Sequence, residues 1–132
     1  MYDRTEGGRK EFAKDIAGFA NRNGGVLIIG VRERAGVPTE IVGIKAEEVD
    51  DAILWLESVS RSGLSPHHPL IAIRTTTYED KSLIVVDVPK GLEELYEVPS
   101  AGARFFVRDE RSVRPMSREE IKFAVRREAE LA

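Results

Sequence analysis

Seven arginines fall in two short stretches of the chain: Arg22, Arg32 and Arg34 near one end, Arg104, Arg108, Arg111 and Arg114 near the other. A guanidinium stays charged and presents a planar fork of donors, which suits it to bidentate hydrogen bonds with phosphate oxygens. Residues 1–34 and 101–132 each carry a net charge of +2, whereas residues 35–100 carry −7. If the two ends meet in the fold, a basic surface forms on a protein whose overall charge is −3 and whose pI is about 5.5. The alternative for each arginine is an ion pair with the acidic middle of the chain. Arg104, Arg108 and Arg114 share parity, so one unbroken strand would project all three from the same face.

Other chemistries find less support. Adjacent His67 and His68, bounded by Pro66 and Pro69, point apart on an extended loop and have no third ligand nearby, so a structural or exposed role is expected and no metal. Ser60, Ser62 and Ser65 lie close by in sequence, yet nothing orients a base or builds an oxyanion hole. No Gly-x-x-x-x-Gly-Lys-Ser/Thr string occurs, and Gly24-Gly25 follows a helical pattern where a phosphate loop would precede one. The chain has no cysteine, which excludes disulfide and zinc-thiolate frameworks. No cofactor is expected.

The elements that must position these residues follow from periodicity. Residues 5–23 read as a helix with Phe12, Ile16, Phe19 and Ala20 on one face, capped by Thr5 or Asp3 and stopped at Asn23-Gly24-Gly25. Asn21 and Asn23 are expected to be structural, helix-terminal residues. Val26 to Val31 is apolar without alternation and reads as a central strand covered on both faces, with Gly30 marking a bulge or close approach. Residues 32–39 read as a turn and 40–44 as a second strand. Ala46 to Ser62 is a second helix, with Val49, Ile53, Leu56 and Val59 inward, Trp55 on the margin and acidic residues in the first turns.

Residues 70–78 and 82–88 form a hairpin, residues 90–103 a surface loop, and residues 104–108 a strand followed by a turn and the extended Val113-Arg114-Pro115. Ser117-Arg118-Glu119-Glu120 is a capping box that starts a last helix, burying Ile121, Ala124 and Val125. The expected fold is one α+β domain over residues 1–132, with three helices and a mixed, mostly antiparallel sheet of about five strands. The first two helices pack on that sheet and the last extends from its edge. At 132 residues and 14.7 kDa a single core suffices, and no apolar run approaches the roughly 18 residues of a membrane span. The protein reads as soluble and cytoplasmic, with no membrane partner.

The string Phe19-Ala20-Asn21-Arg22-Asn23-Gly24-Gly25, the run ending Ile29-Gly30-Val31, then Val42-Gly43-Ile44, Val88-Pro89-Lys90-Gly91, Phe106-Val107-Arg108 and the Ser117 capping box stand in a fixed order. This pattern resembles the Schlafen-type AlbA_2 domain from Glu11 to Val125. The resemblance implies an Alba-like, Schlafen-core-like α+β fold that contacts nucleic acid, DNA or RNA, through its phosphate backbone, as a module of a transcription regulator. Arg22, Arg32, Arg34, Arg104, Arg108, Arg111 and Arg114 are then the candidate contacts, and Asn21, Asn23, Gly24, Gly25 and Gly30 the structural motif.

Some Schlafen relatives are metal-dependent ribonucleases with a carboxylate trio: two glutamates on a strand ahead of the first helix and an acid after the Ile-Gly-Val strand. Glu6 and Glu11 mimic the spacing of the pair but fall within the first helix, and only Glu33 stands near the third position. One glutamate does not make a two-metal centre, so no enzymatic activity is expected. A nuclease would need the strand from sequence outside this chain. The other alternative is a protein-interaction domain, such as a homodimer that pairs basic ends with an acidic middle.

Overall fold

The computed structural model describes residues 2–35, 37–91, 95–102, 104–110 and 112–131. The first helix, α1, spans Glu6–Ala20, and Thr5 caps it by accepting a hydrogen bond from the Gly8 amide at 3.1 Å. It buries Phe12, Ala13, Ile16, Ala17 and Ala20, the face that the periodicity marks out. Strand β1, Gly25–Ile29, follows and pairs with β5, Lys81–Val88, which pairs in turn with β4, Ala72–Tyr78. All the ladders among the described residues are antiparallel.

The expectation of a central strand covered on both faces fails for β1. It lies at a sheet edge, and Val26 and Ile28 are each about half exposed while Ile29 is buried. The strand also ends earlier than residue 31. Gly30 has φ of +111°, and its carbonyl accepts from the amides of Val42 and Gly43, both at 2.8 Å. That φ lies where side chains with a Cβ are strained, so the position favours glycine. Beyond it, Val31–Arg34 and Val37–Ile41 form a separate two-stranded ribbon, β2 and β3, where the sequence suggested a turn. Because most of its side chains face solvent, the ribbon has no buried face to impose alternation.

Helix α2 spans Ala46–Ser62 as expected, with Ala52, Leu56 and Val59 buried. Trp55, on its margin, meets Tyr2 and Phe12 at centroid distances of 6.5 and 6.2 Å. The stretch taken for a surface loop contains β6, Glu97–Val98, and a short 3₁₀ turn, Pro99–Ala101. Tyr96 and Val98 are wholly buried there, and β6 completes a sheet with β7, Arg104–Arg108, and β8, Val113–Pro115. Among the described residues the strands are thus divided among three small sheets instead of one of about five. Helix α1 packs between the two three-stranded sheets, against β7 on one side and β5 and α2 on the other.

Helix α3, Arg118–Leu131, starts at the capping box: Ser117 Oγ accepts from the Glu120 amide at 3.1 Å and Glu120 Oε1 from the Ser117 amide at 2.8 Å. Ile121 and Ala124 are only half-buried, and Val125 is exposed, contrary to expectation. Phe123 is 64 % exposed, so α3 extends outward from the body.

Candidate nucleic-acid interface

The turn after α1 organises the basic residues through its backbone and one amide. Asn21 Nδ2 donates to the carbonyls of Tyr96 and Phe106, both at 2.9 Å, and its Oδ1 accepts from the Tyr96 amide. One side chain thereby ties the end of α1 to β7 and to the segment leading into β6. Gly24, with φ of +78°, sits where a Cβ would lie 2.7 Å from the Lys90 amide nitrogen, and at Gly25 a Cβ would collide with the Phe19 ring. That ring carries the Arg108 guanidinium, whose carbon is 4.9 Å from the centroid. Asn23, by contrast, is exposed at the meeting of two clefts.

Of the six candidate arginines that the structure describes, three are engaged in ion pairs. Arg22 reaches Asp109 Oδ1 at 2.9 Å and the Arg108 carbonyl at 3.2 Å. Arg114 donates to Asp109 Oδ2 at 2.8 Å and makes a fork with Glu120 at 2.7 and 3.0 Å. These bonds hold both carboxyls below their ordinary range: Asp109 through Arg114 and then Arg22, and Glu120, pushed down to about 2, through Arg114 and then the Ser117 amide. Arg32 faces Glu40 at 3.4 Å on the β2–β3 ribbon, where Arg34 is exposed. Arg111 lies outside the described residues.

The shared parity of Arg104, Arg108 and Arg114 does not survive the turn at Asp109. Arg114 stands opposite Val107 in the β7–β8 ladder, hence on the other face from Arg104 and Arg108. The latter two face α1, whose Gly18 lets the strand approach closely.

The structure brings Arg22 and Arg108 to one cleft of about 580 Å³, together with Asp109 and Glu110. A second cleft, about 400 Å³, joins Lys10 and Lys14 of α1 to Arg104 of β7. There Lys14 Nζ and Arg104 Cζ lie 5.1 and 5.8 Å from the centroid of the Phe106 ring. Its carboxylate is Glu11, exposed and 3.4 Å from Lys14. The two lysines are the contribution that arginine counting misses, although their spacing of four places them on one side of α1.

The carboxylates implied by the nuclease resemblance do not assemble. Glu6 and Glu11 are exposed on α1, while Glu33 lines a cleft of about 380 Å³ with Asp15 and Tyr2. Tyr2 donates its hydroxyl to Asp15, whose carboxyl is raised from its ordinary range chiefly by burial. Among the described residues no group of three or more His, Cys, Asp or Glu side chains could hold a metal ion, so the residues do not fit a two-metal centre. His68 is buried, with Nε2 2.8 Å from the Pro89 carbonyl and Nδ1 accepting from the Leu70 amide, so both ring nitrogens are engaged within the fold.

The chain was compared with known proteins. A solved structure, the DIP2311 protein from Corynebacterium diphtheriae, shares the fold with a TM-score of 0.67 and 21% identity, over 95% of this chain and 20% of that one. The chain therefore spans about a fifth of the length of that relative. No curated protein matches it. The family model described as Schlafen, AlbA_2 matches residues 2–117, ending at the residue that caps α3. With the Phe19 to Gly25 turn, the α1-packed sheets and that match in agreement, the chain belongs to the Schlafen AlbA_2 family.

Proposed function

We propose that this domain binds nucleic acid through the phosphate backbone, with Lys10, Lys14 and Arg104 as the centre of the contact and Arg108 beside it. The observation that carries the reading is the gathering of three cations from α1 and β7 in one cleft, two of them, Lys14 and Arg104, at the Phe106 ring, with a single exposed carboxylate among the residues lining that cleft. Family membership supports the ligand class. Arg22 and Arg114, whose charges are already matched by Asp109 and Glu120, serve to hold β7, β8 and α3 in place. Contacts of this kind neutralise phosphates and release counterions, so they read sequence little and weaken with salt. In this account the domain is the DNA-contacting module of a regulator and does not cleave its ligand.

Fluorescence anisotropy of labelled duplex DNA, single-stranded DNA and hairpin RNA, at about 50 and 200 mM salt, tests it. The expected result is binding that falls at least about tenfold between the two salts, with duplex DNA preferred and every ligand recovered intact after incubation with Mg²⁺ or Mn²⁺. Absence of binding at the lower salt contradicts the reading. Shortened products that disappear with chelator would establish the nuclease instead.

A further inference from the structure

Each sheet of the fold ends in strands whose outer side has no partner among the described residues, and most of these edges are protected. Strand β6 has two residues, and β8 has three and ends at Pro115. The β2–β3 ribbon carries Pro38 and a register shift after Arg32. Strand β1 lies across a cleft of about 380 Å³ from Ser112 and Val113. Strand β4 has none of these features. It runs for seven residues, Ala72–Tyr78, pairs with β5 in unbroken register, contains neither proline nor glycine, and carries a single charge, Arg74.

The turn that follows decides which backbone groups this edge offers. Glu79 and Asp80 have φ of +48° and +68°, the signature of a two-residue type I′ hairpin. Such a turn makes Tyr78 and Lys81 a hydrogen-bonded pair, and the alternation of the ladder then directs the amides and carbonyls of Ile73, Thr75 and Thr77 away from β5. The bond from the Ile44 amide to the Ser82 carbonyl at 2.9 Å agrees, because Ser82, opposite Thr77, likewise points away from β4. Thr75 and Thr77 are exposed, although Thr75 shares the inner face with the buried Ile84 opposite it, so the helices leave this edge open.

We propose that β4 pairs with β4 of a second copy of the chain, antiparallel about a two-fold axis at Thr75, which joins the two β1–β5–β4 sheets into one continuous sheet. The outward groups of Ile73, Thr75 and Thr77 in the two copies then exchange about six hydrogen bonds. In this register Thr75 meets its own counterpart, Ile73 meets Thr77, Arg74 meets Thr76 and Ala72 meets Tyr78. A large side chain thus stands beside a small one on either side of the axis, and no like charges are directly opposed. The neighbouring registers are worse. Centring on Arg74 sets the two guanidiniums directly opposite each other, and moving the axis to Ile73 brings Pro69, which has no amide, opposite Thr77. Moving it toward the turn leaves Ala72 and Ile73 without partners. None of the residues lining the Lys10, Lys14 and Arg104 cleft lies on β4 or β5, so the pairing leaves those cations available.

Sedimentation equilibrium of the full chain at concentrations on the order of 10 to 100 µM tests the proposal, with circular dichroism and thermal melting to verify folding. The wild type is expected at twice 14.7 kDa. Because Thr75 faces its counterpart across the axis, Thr75→Lys or Thr75→Glu alone sets like charges face to face and weakens association by at least about tenfold. An equimolar mixture of the two variants brings opposite charges together and recovers association to within about threefold of wild type. Thr75→Pro removes an outward amide from each copy while sparing the β5 ladder, and weakens association by at least about tenfold. A wild type that stays monomeric throughout the concentration range overturns the proposal. So do folded Thr75 variants that associate like wild type, or a mixture of the charge variants no tighter than either alone.

Discussion

At the scale of single residues, the Asn21 amide links three segments that are far apart in sequence. Its bonds to Tyr96 and Phe106 span 75 and 85 positions, so their loss loosens β6 and β7 from the end of α1 at once. Asn21→Ala is expected to lower the unfolding free energy by about 2 to 4 kcal/mol in urea denaturation, well beyond the loss of a helix-terminal residue alone. A change under about 0.5 kcal/mol would show that the clip is dispensable. The sequence suggested a structural asparagine here but not its partners, because hydrogen bonds at such separations leave no local pattern. The capping box at Ser117 was legible for the opposite reason: both partners lie within one turn.

At the scale of elements, α3 is held to β8 by the fork between Arg114 and Glu120 and by the cap. Glu120 has its carboxyl pushed down to about 2, below the ordinary 4.5. A lowered carboxylate contributes stability that is present above its ordinary value and is lost as pH falls through the lowered one. The Ser117 amide donates to that carboxylate, so its NMR chemical shift is expected to move with a midpoint near 2. In Arg114→Ala the midpoint should return toward 4.5, and a wild-type midpoint already at 4.5 would rule out the clamp. Helices with one buried face, α1 and α2, were readable from periodicity, and the β4–β5 hairpin from its two β-rich runs on either side of Glu79-Asp80. The β2–β3 ribbon exposes most of its residues and β6 is only two residues long, so neither leaves a period to read. On β1 the apolar Val26 and Ile28 look inward in sequence and point outward in the fold.

At the scale of the whole molecule, the uneven charge distribution acquires a geometry. The two positive ends of the chain meet where α1 packs on β7 and β8, and the acidic middle supplies α2 and much of the remaining surface. No helix among the described residues is long and apolar enough to cross a membrane. The order of motifs carried the family, but which cations remain available could not be read from order. That depended on Asp109 and Glu120 pairing with Arg22 and Arg114, and on α1 bringing Lys10 and Lys14 beside Arg104. The most direct measurement is the salt slope of duplex-DNA affinity for Lys14→Glu, Arg104→Glu and, as a control on the β2–β3 ribbon outside the Lys10, Lys14 and Arg104 cleft, Arg32→Glu. A cation that neutralises one phosphate takes about one unit from that slope when lost, so the first two variants should each flatten it by about one and weaken binding about tenfold. The Arg32 variant should keep the wild-type slope, and equal slopes for all three would contradict an interface centred on Lys10, Lys14 and Arg104.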